Sequence, residues 1–204
     1  MTISQQLNEL QLISGNKLSN IFNNLYNDIL TINYDSESKL VNELWNRYNP
    51  SSPSLNGSVF EGILAAIFYR SNIIPLFIQA KISFVLNVDF DFVLYSKEYG
   101  PIALSAKTSL RERYKQADLE GMMLKQVHRK AKSFLLTLNK QEANGVNKKI
   151  ANGEVLGIDD VVVVNDKKFD TLISYLKKLT FYKPEKIDII TSTRYIHKTY
   201  TMSK

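Results

Sequence analysis

Between Val59 and Arg70 the chain is apolar on nearly every helical face, and Glu61 is the only charge inside that run. A helix without a polar face has to be buried, so the rest of the fold must cover it. The turn-rich connector Pro50-Ser-Ser-Pro-Ser-Leu-Asn-Gly57 precedes it, and Ser58 stands where a side chain caps a first turn. Upstream, Leu7, Leu10, Leu18, Phe22, Leu25 and Ile29, then Leu40, Val41, Leu44 and Trp45, recur at threes and fours within each run. That periodicity predicts two or three amphipathic helices over residues 1–47.

After Ser71-Asn72 the period changes. Lys81–Leu86, Val88–Tyr95 and Ile102–Lys107 are short runs rich in β-branched and aromatic residues, and Ser96–Gly100 divides the last two as a hairpin turn would. Ser109 followed by Glu112 reads as a capping box, announcing a helix to about Ala131. Then come a strand over Ser133–Leu138, a polar loop or weak helix over 139–157, a strand at Val161–Val164, a helix at Phe169–Leu179 and an edge strand at Ile187–Thr191. The order predicts one α/β domain spanning 1–204: a helical N-terminal region over 1–50, then a core over 58–191 in which helices flank a central mixed β-sheet.

A length of 204 residues with 44% apolar side chains is ample for such a core. Cysteine is absent, which excludes disulfides, thiolate zinc sites and cysteine nucleophiles. The net charge of +6 favours a polyanionic partner. The longest apolar runs, Gly62–Tyr69 and Ile73–Ile78, are far short of the ~20 residues a bilayer span needs, and the polar N-terminus lacks a signal-peptide core. The expectation is a cytoplasmic protein without membrane contact.

Charge concentrates in Ser105-Ala-Lys-Thr-Ser-Leu-Arg-Glu-Arg-Tyr-Lys-Gln-Ala-Asp-Leu-Glu120. Strand alternation puts Ser105 and Lys107 on one face, and Asp89 and Asp91 likewise share a face of the preceding strand. Asp91 paired across the hairpin with Lys107 would set a carboxylate beside an ammonium at the sheet edge. Glu120 shares a helical stripe with Ala117, Leu124, Val127 and Ala131, and a carboxylate on an apolar stripe needs a cation to meet. Two carboxylates and a lysine are what magnesium-assisted phosphodiester hydrolysis requires. The plain alternative is that each is an ordinary surface charge. His128 and His197 are too few for a histidine-based nuclease site, and no glycine-rich phosphate cradle exists.

Ser105-Ala-Lys107 with Glu120 resembles a variant of the PD-(D/E)xK nuclease signature, the one carried by the EcoRII, PspGI and NgoMIV-like (CCGG-family) type II restriction endonucleases. That group has a small residue two positions before the lysine and takes the missing carboxylate from the following helix. Twelve residues separate Lys107 from Glu120, and Arg111-Glu112-Arg113 stands where the group carries an Arg-(Asp/Glu)-Arg triplet. The resemblance implies a restriction-endonuclease-like fold and Mg²⁺-dependent cleavage of double-stranded DNA at a short palindromic site containing CC/GG. Asp91 and Glu120 would be metal ligands, Lys107 would orient the water, and Arg111, Glu112 and Arg113 would read bases. A homodimer and a cognate DNA methyltransferase in the same host would follow. The sequence departs from the pattern in having no proline before the aspartate, which leaves Asp89 as an alternative to Asp91. Glu61 matches an extra acidic residue of some members, or is the end of a Ser58–Glu61 capping box. Rival readings are a structure-specific or repair nuclease of this fold, a catalytically silent DNA-binding module and an α/β domain that binds no nucleic acid.

Overall fold

A computed structural model describes residues 1–85, 87–184 and 190–196. Four helices open the chain: α1 Ile3–Glu9, α2 Asn16–Leu25, α3 Glu37–Asn46 and α4 Pro53–Arg70. Strands β1 Leu76–Ile82, β2 Phe90–Ser96 and β3 Gly100–Ala106 follow, then α5 Arg113–Val127, β4 Lys132–Thr137, α6 Lys140–Ala151, β5 Asp160–Val163, α7 Lys167–Leu176 and β6 Ile190–Ile196. The six strands form one mixed sheet in the order β5-β4-β3-β2-β1-β6. β3, β4 and β5 run parallel, while β2, β1 and β6 add antiparallel neighbours.

Helix α4 is buried as its composition demands, with Val59, Phe60 and every residue from Gly62 to Tyr69 inaccessible. It packs with α2, α3 and the sheet residues Ile78, Phe92, Leu94, Ile102 and Leu104 in the main core. A side chain at Gly62 would bring its Cβ to 2.7 Å from Phe22 Cζ, so the absence of one lets α2 approach α4. The opposite face of the sheet is covered in part by α5, whose Leu124 joins Phe77, Phe90, Val93 and Ala103.

Both capping boxes read from the sequence are absent. Helix α4 begins five residues before Ser58, with Pro53 in its first turn and Ser52 accepting from the Leu55 amide, so Ser58 lies inside the helix and bonds back to the Ser54 carbonyl. Helix α5 begins at Arg113 after Glu112, which makes no side-chain cap bond. Ser109 is engaged instead with Glu142 of α6, a tertiary partner that short-range patterns cannot reveal. The polar stretch from 139 is a true helix: Asn139 caps the Glu142 amide, Ala143 and Val146 turn inward, and Lys148 and Lys149 close the last turn. The first strand starts at Leu76 rather than Lys81, and α5 ends at Val127 rather than near Ala131. Part of the predicted edge strand, 187–189, and His197 lie outside the described residues.

Candidate active site

The sheet splays where the charges gather. The β2–β3 pairing runs from Ser96↔Gly100 to Phe92↔Leu104. Beyond Leu104, β3 continues with β4 through Ser105↔Leu135 and Ala106↔Leu136, and the Lys107 amide donates to the Leu136 carbonyl at 2.9 Å. The Asp91 carboxylate fills the gap that opens on the β2 side. Its Oδ2 accepts from the Ala106 amide at 2.7 Å and from Lys107 Nζ at 2.7 Å. A buried amide released from a ladder needs an acceptor, and Asp91, only 7% exposed, is that acceptor. Asp89, by contrast, precedes β2, with a side chain 58% exposed and 3.6 Å from Lys81.

Ser105 is buried and alternates with Leu104 and Ala106, which join the core on the α4 side. It therefore faces the α5 layer and contributes no charge there. The remaining carboxylates come from the two helical layers. Glu61, midway along α4, accepts from Gln79 Nε2 at 2.9 Å. Gln79 is left out of both β1 ladders and has a left-handed φ of 50°, which marks a local break in the strand beside Asp91. Burial, reinforced by the Asp91 charge, pushes Glu61 up to about 7 against the opposing pull of Lys107, Gln79 and Arg194. A helix-cap role for Glu61 is ruled out by its position.

Glu120 sits in the middle of α5, hydrogen-bonded by Gln116 Nε2 at 2.7 Å. Burial raises its pKa, Asp91 and Asp89 add to the rise, and Gln116 and Lys107 oppose it. Its predicted stripe holds for Ala117 and Leu124, both buried, but Val127 turns toward solvent and Ala131, though buried, lies beyond the end of the helix. Lys125, a conceivable structural partner for Glu120, is taken by Asp159 at 3.0 Å.

Asp91 thus binds the Lys107 ammonium directly, and Glu61 and Glu120, one from each helical layer, lie near enough to feel its charge. Among the described residues no three carboxylate or histidine groups stand close enough together to form a ready-made metal cage. The donor chemistry nonetheless fits a hard divalent cation: oxygen ligands only, with two of the three carboxyls held above their ordinary range by burial and by negative neighbours.

Arg111, Glu112 and Arg113 are exposed at the start of α5. Arg111 has φ 28°, uncommon for a side chain-bearing residue. Glu112 pairs with Lys115, which holds its carboxyl below the ordinary range. Two groups near the cluster escaped the sequence reading of the site. Gln116 carries the Glu120 bond, a spacing of four that the sequence does show. Arg194 of β6, anchored to the Leu12 carbonyl at 2.8 Å and held below its usual pKa by burial, counterbalances Glu61 across the fold. Nothing local to either Arg194 or Glu61 signals that electrostatic influence.

The mixed six-stranded sheet with flanking helices is a restriction-endonuclease-like fold. The solved complex of the restriction endonuclease PspGI with substrate DNA matches it with a TM-score of 0.55, over 87% of this chain and 83% of that one, at 15% sequence identity. No family model and no curated protein matches the sequence.

Proposed function

We propose that the chain is a type II restriction endonuclease of the EcoRII/PspGI/NgoMIV-like subgroup, hydrolysing double-stranded DNA at a short palindromic site containing CC/GG, with Mg²⁺ as cofactor. The observation that carries this reading is the Asp91–Lys107 pair at 2.7 Å, set at the splayed end of β2 and β3 with Glu61 and Glu120 beside it. The PspGI complex supports it by likeness of fold.

Asp91 and Glu120 are the residues that would hold the ion. When bound, Mg²⁺ supplies Lewis-acid activation of water and neutralises charge on the phosphate. Lys107, held in place by Asp91, directs its remaining ammonium donors toward the attacking water and a non-bridging phosphate oxygen, where negative charge grows in the transition state. Glu61 keeps its proton up to about pH 7 in the metal-free chain. A cation bound nearby would favour its ionised form, and Glu61 would then offer a third carboxylate to the site. Ser105, being small and neutral, leaves the lysine strand without the carboxylate that Glu120 provides from α5.

The side chains of Arg111 and Arg113 make no hydrogen bond or ion pair with the described residues, so their forks are available for guanine O6 and N7. Glu112 is an acceptor suited to cytosine N4, and its exposed pair with Lys115 is weak enough to exchange. A palindromic site calls for two copies related by a two-fold axis, hence a homodimer, and for a host methyltransferase that protects the same sequence.

Run-off sequencing of a plasmid digested with the protein and Mg²⁺ tests this. One recurring sequence with CC/GG at every cut end is expected. Ends scattered over unrelated sequences support the structure-specific nuclease instead, and an uncut plasmid that nevertheless binds supports the silent DNA-binding module.

A further inference from the structure

The base-reading role proposed for the triplet raises a structural question: what holds three exposed residues in register when the helix they begin has no cap of its own? The residues on either side of them are fastened to α6. Before the triplet, Leu110 is wholly buried, and its amide donates to Glu142 Oε2 at 2.6 Å, while the Ser109 hydroxyl lies 3.3 Å from both carboxylate oxygens. After it, the Tyr114 hydroxyl accepts from Lys149 Nζ at 2.8 Å, and the ammonium lies 5.0 Å from the centroid of the same ring. Beneath both fastenings, Leu110 and Tyr114 pack with Ala143, Val146 and Ile150. Glu142 is itself fixed, because Asn139 caps its amide at 3.0 Å.

This geometry explains how Arg111 keeps a left-handed φ of 28°. A residue with a side chain leaves that region unless its surroundings hold it there. With Leu110 and Tyr114 both clamped, the chain between them has little freedom, and Arg111 is the residue that takes the turn.

We propose that Glu142, seconded by Lys149 through Tyr114, is a positioning residue for sequence discrimination: α6 is the mount that holds Arg111, Glu112 and Arg113 in the one geometry that distinguishes the right base pairs. Neither α6 residue touches the carboxylate–lysine cluster, so the mount acts on which DNA is cut rather than on the chemistry of cutting. The inference rests on the proposed endonuclease reading.

Its test compares cleavage rates on a cognate duplex and on duplexes with one C·G pair altered, for wild type, Glu142→Ala and Tyr114→Phe, with melting followed in parallel. Glu142→Ala is expected to lower the cognate-to-altered rate ratio by about 10-fold or more, as expected when a bidentate base contact loses its alignment. Tyr114→Phe, which keeps the ring packing and removes only the Lys149 acceptor, lowers the ratio by a smaller factor with melting nearly unchanged. Should Glu142→Ala fail to fold, the Tyr114→Phe ratio decides. A variant that merely loosens the fold lowers both rates together and leaves the ratio at the wild-type value, and that result overturns the inference while leaving the endonuclease reading intact. Wild type that cuts no duplex overturns the reading and the inference with it.

Discussion

Replacing Glu61 with glutamine should make the metal-free protein more stable, and more so as pH rises. Glutamine keeps the volume and an acceptor for Gln79, and it removes a charge that the fold disfavours. The sign follows from proton linkage. Folded Glu61 titrates at about 7 and its ordinary value is 4.5, so between those values the folded chain holds a proton that the unfolded chain has released. Stability from this group is therefore full below pH 4.5 and falls as pH climbs through 7. The gap corresponds to about 3 kcal/mol at pH 8. For a domain of this size that is a melting-temperature difference of roughly 6–12 °C. Urea or thermal unfolding of both proteins from pH 5 to pH 8, without divalent cation, measures it. Other groups do not confuse the comparison: Asp28, Glu37 and Asp166 are shifted downward, away from the window, and His128, shifted by burial alone, acts equally in both proteins. Parallel curves for wild type and Glu61→Gln would refute the placement of Glu61 in a buried, negatively charged cluster.

Glu120→Gln is expected to cut DNA on the order of a hundredfold more slowly while binding it normally without Mg²⁺, as gel shift and cleavage assays on one duplex will show. Gly157→Ala should lower the melting temperature severely, because the new Cβ would lie 1.9 Å from the Asp118 carbonyl oxygen and 2.5 Å from the Met122 amide, backbone atoms of the helix that bears Glu120; a cost of about 3 kcal/mol is expected. Gly145→Ala, in α6 with nothing within 4 Å, should instead stabilise by about 0.5–1 kcal/mol, and the pair of melts checks both.

The layered fold was legible because its main signals are periodic. Helix α4 has no polar face, and strands β2 and β3 alternate around a plain turn, so their presence and pairing follow from the sequence. Asp91 with Lys107 was legible only in part: the hairpin brings both to one end of the sheet, but its register, ending at Phe92↔Leu104, would set Ser105 rather than Lys107 opposite Asp91, and the contact forms because the strands part there and Asp91 takes the Ala106 amide. The details that failed depend on contacts between distant segments. Ser58 and Ser109 each stand three residues before a glutamate and match a local capping pattern. The first is overridden by Ser52 and Pro53 farther upstream, and the second by Glu142, thirty-three residues away. Helix α6 was obscured by its polarity, because only Ala143, Val146 and a capping Asn139 distinguish it from a surface loop. The place of Glu61 in the charged cluster depends on the break at Gln79 and on Arg194, reached through β6, neither of which a local reading supplies.

Single-turnover cleavage of a CC/GG-rich plasmid by wild type and by Lys107→Ala, with Mg²⁺ and at equal bound DNA, addresses the central claim most directly. The site described here predicts discrete fragments from wild type and a rate lower by on the order of 10²–10⁴ for Lys107→Ala. Equal rates from the two proteins, or a plasmid left intact by wild type, would contradict it.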